Sequence, residues 1–101
     1  MQGISSTIFE QMIFKDGQMQ NPNFVDYRIA TTMDLPKRIE SIIVEVPQDD
    51  GPYGARGIGE HPMVPTIAAL ANAIYDAVGI RMEGPPFTAE KIFTHLKKKD
   101  T

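Results

Sequence analysis

One carboxylate, Glu60, follows three glycines, Gly54, Gly57 and Gly59, and comes just before an apolar stretch with helical spacing. Backbone without side chains lets a ligand lie against it, and a carboxylate beside such backbone can take a proton from that ligand. The position upstream of a helix N-terminus adds to this, because unpaired N–H groups and the helix dipole favour negative charge there. The same features also describe an ordinary turn whose acid pairs with the dipole, so the residues by themselves leave both readings open. Nucleotide chemistry is not indicated. The glycines run G-x-x-G-x-G, whereas a dinucleotide fingerprint runs G-x-G-x-x-G, and no Lys with Ser or Thr follows as in a phosphate loop. His61 and His95 read as polar surface residues and Arg56 as a solvated loop cation.

The elements that must position Glu60 follow from the spacing of apolar residues. Ile4, Ile8, Phe9 and Met12 recur every three or four positions and predict an N-terminal amphipathic helix within 2–12. Asp16-Gly17 between apolar flanks predicts a hairpin. Asn21 to Pro36 reads as an extended connection anchored by Phe24 and Tyr27. Residues 39–46, rich in β-branched side chains, form the best strand pattern in the chain, ended by Pro47. After the glycine loop, Ile67, Leu70, Ala71, Ile74 and Val78 line one face of a helix over 66–78 whose other faces carry alanines. That helix reads as packed on more than one side, with Gly79 as its C-terminal cap. Ile80 to Met82 suggests a brief strand, and Thr88 can cap a last short helix carrying Ile92, Phe93 and Leu96. The fold class is α+β, with a small mixed or antiparallel sheet, as one unit over 1–96 and a solvated basic tail over 97–101.

Composition bounds what such a unit can be. At 101 residues it holds one small domain, expected to bury about two thirds of its unfolded surface. A net charge of −3, with Lys97 to Lys99 as the only basic run, argues against a nucleic-acid partner. With no cysteine the chain cannot hold an iron–sulfur cluster, and no apolar run nears the ~20 residues of a membrane span. With no export signal either, the expected location is cytoplasmic.

Several of these segments, in order, resemble a known family. Gln2-Gly3-Ile4, Phe14-Lys15-Asp16-Gly17, the run Asn21 to Ile29, Gly57-Ile58-Gly59-Glu60 with Pro62, and the run Ala71 to Arg81 are similar to the C-terminal part of the molybdenum-binding large subunit of the xanthine dehydrogenase and aldehyde oxidase family, over residues 1 to about 93. That family hydroxylates aromatic heterocycles or aldehydes with oxygen from water. The resemblance implies that Glu60 is the catalytic glutamate, the base that takes the proton from the hydroxyl destined for the substrate carbon. It also implies that Gln2 hydrogen-bonds the pyranopterin of the molybdenum cofactor, and that the backbone of Gly57 and Gly59 lies near it. The metal would be held by the cofactor's dithiolene and by no side chain of this chain.

The implied partners are the remainder of the large subunit, iron–sulfur and FAD modules, and a small-molecule substrate. The family's subunit is several times longer, so the 101-residue chain is expected to be inactive alone and to expose an apolar surface that the rest would cover. The alternative reading is a non-catalytic binding or assembly domain that keeps the fold without the chemistry. Two departures stand out: the family often has glycine at the position of Ser5 and proline at the position of Ala30.

Overall fold

Asp16 and Gly17 both adopt left-handed backbone, at φ 50° and 76°. This mirror-image turn matches the right-handed twist of paired strands. It joins β1 (Phe14–Lys15) to β2 (Gln18–Met19) as an antiparallel hairpin with Phe14 opposite Met19. The computed structural model describes residues 1–99, and around this hairpin it sets three helices: α1 (Gln2–Ile8), α2 (Thr66–Val78) and α3 (Ala89–Lys99). Single 3-10 turns at Thr32–Asp34, Pro52–Gly54 and His61–Met63 punctuate the connection from β2 to α2. The α+β architecture agrees with the sequence, and the α2 boundaries coincide with the apolar pattern. Gly79 closes α2 at φ 67°, its N–H donating to the Tyr75 carbonyl at 2.7 Å. Thr88 opens α3, its hydroxyl accepting from the Lys91 N–H at 3.2 Å.

Helix α1 departs from its apolar stripe. Its buried residues are Gly3, Ser5 and Thr7, while Ile4, Ile8 and Phe9 are only half-buried and Met12 is exposed. Three neighbours approach the helix and favour small or polar groups. Gly3 meets α2. The Ser5 hydroxyl accepts the Ala30 N–H at 2.9 Å, and the Thr7 carbonyl accepts the Phe87 N–H at 2.7 Å. The two departures from the family pattern are thus bonded to each other. A glycine would supply no acceptor at position 5, and a proline would present no donor at position 30. Ser5→Ala is expected to cost about 1 kcal/mol by stranding a half-buried donor, and less than that in an Ala30→Pro background. Denaturant midpoints of the four combinations measure it.

In the connection from β2, buried Asn21 rather than Phe24 is the anchor. Its side chain accepts from the Ile13 N–H at 2.9 Å and donates to the Gln11 carbonyl at 2.6 Å, whereas Phe24 is 80% exposed. Tyr27 donates its hydroxyl to Glu10 at 2.8 Å. That hydrogen bond, with lesser contributions from desolvation and the Glu10 charge, holds the phenol above its ordinary range. Farther on, Thr31 and Asp34 form a capping box in which the Asp34 carboxylate accepts the Thr31 N–H and hydroxyl, both at 2.8 Å. These bonds stabilise the charged form and hold the Asp34 carboxyl below its ordinary pKa. A depressed folded value means the contribution is present above the ordinary aspartate value of about 3.9 and is lost as pH falls through the folded value. A carboxyl NMR titration should place the Asp34 midpoint below that of an unstructured aspartate, and Thr31→Val should raise it.

Two expected strands are absent. Residues 80–82 are irregular, yet Ile80 and Met82 join Phe87 as the buried core, flanked by Leu70, Ala71, Ile74 and Val78 of α2 and by Ile92 and Leu96 of α3. Residues 39–46 form no strand. Among the described residues no backbone group of this stretch has a hydrogen-bond partner. A strand exists only through pairing, so propensity alone could not make one here. No residue of α2 is fully buried, which corrects the expectation of packing on several sides; Ala68, Ala69, Ala73 and Ala77 are exposed. Lys97 to Lys99, expected as a tail, form the last turn of α3, where the Lys99 ammonium donates to the Val78 carbonyl at 3.0 Å and the Lys97 ammonium lies 4.7 Å from the Phe93 ring centre. Residues 100 and 101 of that tail lie outside the described residues. No helix among the described residues is long and apolar enough to cross a membrane.

The expected burial is also corrected. The accessible surface is 8661 Å², whereas a compact monomer of this mass has about 5,700 Å² and its unfolded chain about 16,000 Å². About half of the unfolded surface is covered, not two thirds. The radius of gyration, 17.7 Å, likewise exceeds the ~13 Å of a compact 100-residue domain.

Candidate active site

Glu60 ends the glycine loop in helical backbone, φ −84° and ψ −1°, and its carbonyl accepts the Met63 N–H at 2.9 Å to open the 3-10 turn that leads into α2. No side-chain bond caps that turn, so the Glu60 carboxylate is not spent on its own backbone. It reaches instead across the fold: the Gln2 Nε2 donates to Glu60 Oε1 at 3.1 Å, joining residues 58 positions apart. Both side chains are exposed, and an exposed hydrogen bond is too weak to hold two elements together.

What sets their distance is the crossing of α1 over the start of α2. A Cβ built on Gly3 would lie 2.5 Å from the Thr66 Oγ1 and 2.7 Å from its Cβ. Glycine at this position therefore allows the close approach.

Met1, Gln2, Gly3, Gly59, Glu60, Pro62, Met63 and Thr66 line a cleft of about 190 Å³ at this crossing. The structure thus brings Gln2, Gly59 and Glu60 together. Gly57 does not line the cleft, and Arg56 lies in a separate depression with Val44 and Tyr53. Cβ atoms built at Gly57 and Gly59 would meet nothing within 4 Å, so this backbone is bare and open to a ligand. His61 is exposed at the start of the 3-10 turn, and the His95 Nδ1 donates within α3 to the Lys91 carbonyl at 2.8 Å, so neither ring joins the cleft. Gly3 and Thr66 were not legible as site residues. The only signal was the glycine beside Gln2, and its partner is 63 positions away.

The arrangement offers a carboxylate acceptor, an amide donor and bare backbone, a donor set that suits a polar, hydrogen-bonding ligand. Its volume falls below the ~300–1,000 Å³ of a complete small-molecule pocket. By itself it is too small to enclose such a ligand. Among the described residues no group of three His, Cys, Asp or Glu is placed to hold a metal.

Comparison with known proteins makes the chain a homologue of a segment of the molybdenum-binding subunits of the xanthine dehydrogenase and aldehyde oxidase family. No protein-family model matches it. It is 38% identical over 93 residues to the putative xanthine dehydrogenase molybdenum-binding subunit of Escherichia coli K12, covering 90% of this chain and 12% of that protein. It is 40% identical over 63 residues to the aldehyde oxidoreductase of Megalodesulfovibrio gigas, covering 62% of this chain and 7% of that protein. Among solved structures, quinoline 2-oxidoreductase from Pseudomonas putida 86 superposes with a TM-score of 0.84 at 33% identity, covering 96% of this chain and 13% of that one. The chain therefore spans about an eighth or less of the length of these relatives.

Proposed function

We propose that this chain forms the base-bearing wall of a molybdenum hydroxylase active site, with Glu60 as the general base for hydroxylation of an aromatic heterocycle or aldehyde. The observation that carries the reading is the Gln2–Glu60 contact at 3.1 Å, which sets an amide and a carboxylate side by side on one cleft beside the open backbone of Gly59. Gln2 and the backbone of Gly59 would hold the pyranopterin of the molybdenum cofactor, and the bare backbone of Gly57 would lie near it outside the cleft. When bound, the cofactor supplies the redox chemistry and activates a water-derived oxygen.

The work of this chain's residues is then local. Glu60 Oε2, which has no hydrogen-bond partner among the described residues, would accept a proton, while Oε1 accepts from Gln2. The rest of the pocket, the electron-transfer partners and the choice of substrate would come from the remainder of the subunit and its complex. The 101-residue chain by itself would be inactive. The reading is tested by Glu60→Gln in the complete subunit, with molybdenum content and turnover measured on the same sample. The non-catalytic alternative is favoured by the incompleteness of the cleft, and it requires full activity from that variant.

A further inference from the structure

The geometry points to residues 39–46 as a docking strand that pairs with a β-strand from the part of the molybdenum-binding subunit outside this chain. This rests on the reading of the chain as one wall of a larger subunit.

Three observations carry it. Ile39, Ser41 to Val44 and Val46 have the composition of a buried strand, yet Ile42, Ile43 and Val44 are 83%, 85% and 78% exposed. Adjacent residues of a strand point to opposite faces, so on pairing Ile42 and Val44 would present an apolar face and Ile43 would stand on the other. Both edges of the backbone are also open. No N–H or C=O of residues 39–46 has a partner among the described residues, and an unpaired apolar edge is a template for a further strand. Finally, the accessible surface exceeds that of a compact monomer by about 3,000 Å², far more than the ~800 Å² a protein contributes to a standard interface.

A second copy of the chain is a poor occupant. Antiparallel self-pairing of residues 39–46 in full register sets Glu40 opposite Glu45 at both ends, and parallel self-pairing stacks each glutamate on its own copy. Like charges directly opposite are destabilising. An apolar strand of the longer subunit carries no such conflict. Docking would also tie down the approach to the site, since Pro47 leads directly into the turn where the Gln48 N–H donates to the Gly54 carbonyl at 3.2 Å, six residues before Glu60.

Hydrogen–deuterium exchange on the intact molybdenum-binding subunit carrying this segment, and on the 101-residue chain, tests the inference. Amides 39–46 are expected to exchange about 100-fold or more slowly in the intact subunit than in the chain alone. Equal, fast exchange in both overturns it, and so does protection that grows with the concentration of the chain alone, which would mean self-pairing. Ile43→Pro and Val44→Pro each remove an N–H, from opposite edges. In the intact subunit at least one of them should abolish the protection, and full retention in both variants overturns the proposal. Exchange reports on pairing whether or not Glu60 is the base, so the two readings fail independently.

Discussion

Glu60→Gln in the complete subunit is expected to lower kcat by about 10²–10⁴-fold while leaving molybdenum content unchanged. The range is what a positioned general base contributes. Glutamine keeps the length of the side chain and an oxygen that can accept from Gln2, so the 3.1 Å contact and the α1–α2 crossing should survive. What disappears is the negative charge and the second oxygen able to take a proton. Because proton transfer occurs in the transition state and not in binding, kcat and kcat/KM should fall together while KM stays near its original value. Retention of more than about a tenth of the activity with normal molybdenum would remove Glu60 from the base role, since no such base is worth so little. A loss of molybdenum in parallel with activity would instead make Glu60 a structural part of the cofactor site.

The second large effect is expected from Gly3→Ala, which should destabilise the fold by about 1–3 kcal/mol, the usual cost of overpacking a tight contact. The added methyl would sit 2.5 Å from the Thr66 Oγ1 and 2.7 Å from its Cβ. The Cβ cannot rotate away, so α1 must move off α2. Few other contacts can compensate, because the buried apolar core consists of Ile80, Met82 and Phe87. Movement of α1 also carries Gln2 away from Glu60, and the cleft lined by both should open. Thr66→Gly removes the colliding atoms, so Gly3→Ala should cost markedly less in that background; equal costs in the two backgrounds would show that the crossing is not what Gly3 serves. Thermal or denaturant midpoints of the four proteins measure the coupling.

Local rules were legible wherever the determinant was local. Asp16-Gly17 fixed the hairpin because two adjacent residues had to accept positive φ. The apolar period fixed α2 from Thr66 to Val78, and Gly79 its end. Residues 39–46 show the limit of such rules: their side chains favour a strand, but no backbone group among the described residues pairs with them. The same limit explains α1, where apolar periodicity pointed to Ile4 and Ile8 while Ser5 and Thr7 are buried by backbone arriving from Ala30 and Phe87.

By itself the sequence determined that a lone carboxylate follows a bare, glycine-rich loop and precedes a helix, and its ordered motifs pointed to the molybdenum hydroxylase family. Only the tertiary structure decided that Gln2 meets Glu60, that Gly3 and Thr66 set their distance, and that Gly57 stands outside the cleft. The physical reason is that a helix or a turn is fixed by neighbours in the chain, whereas a hydrogen bond across 58 positions depends on how two helices pack, and that packing is decided by shape at a single glycine.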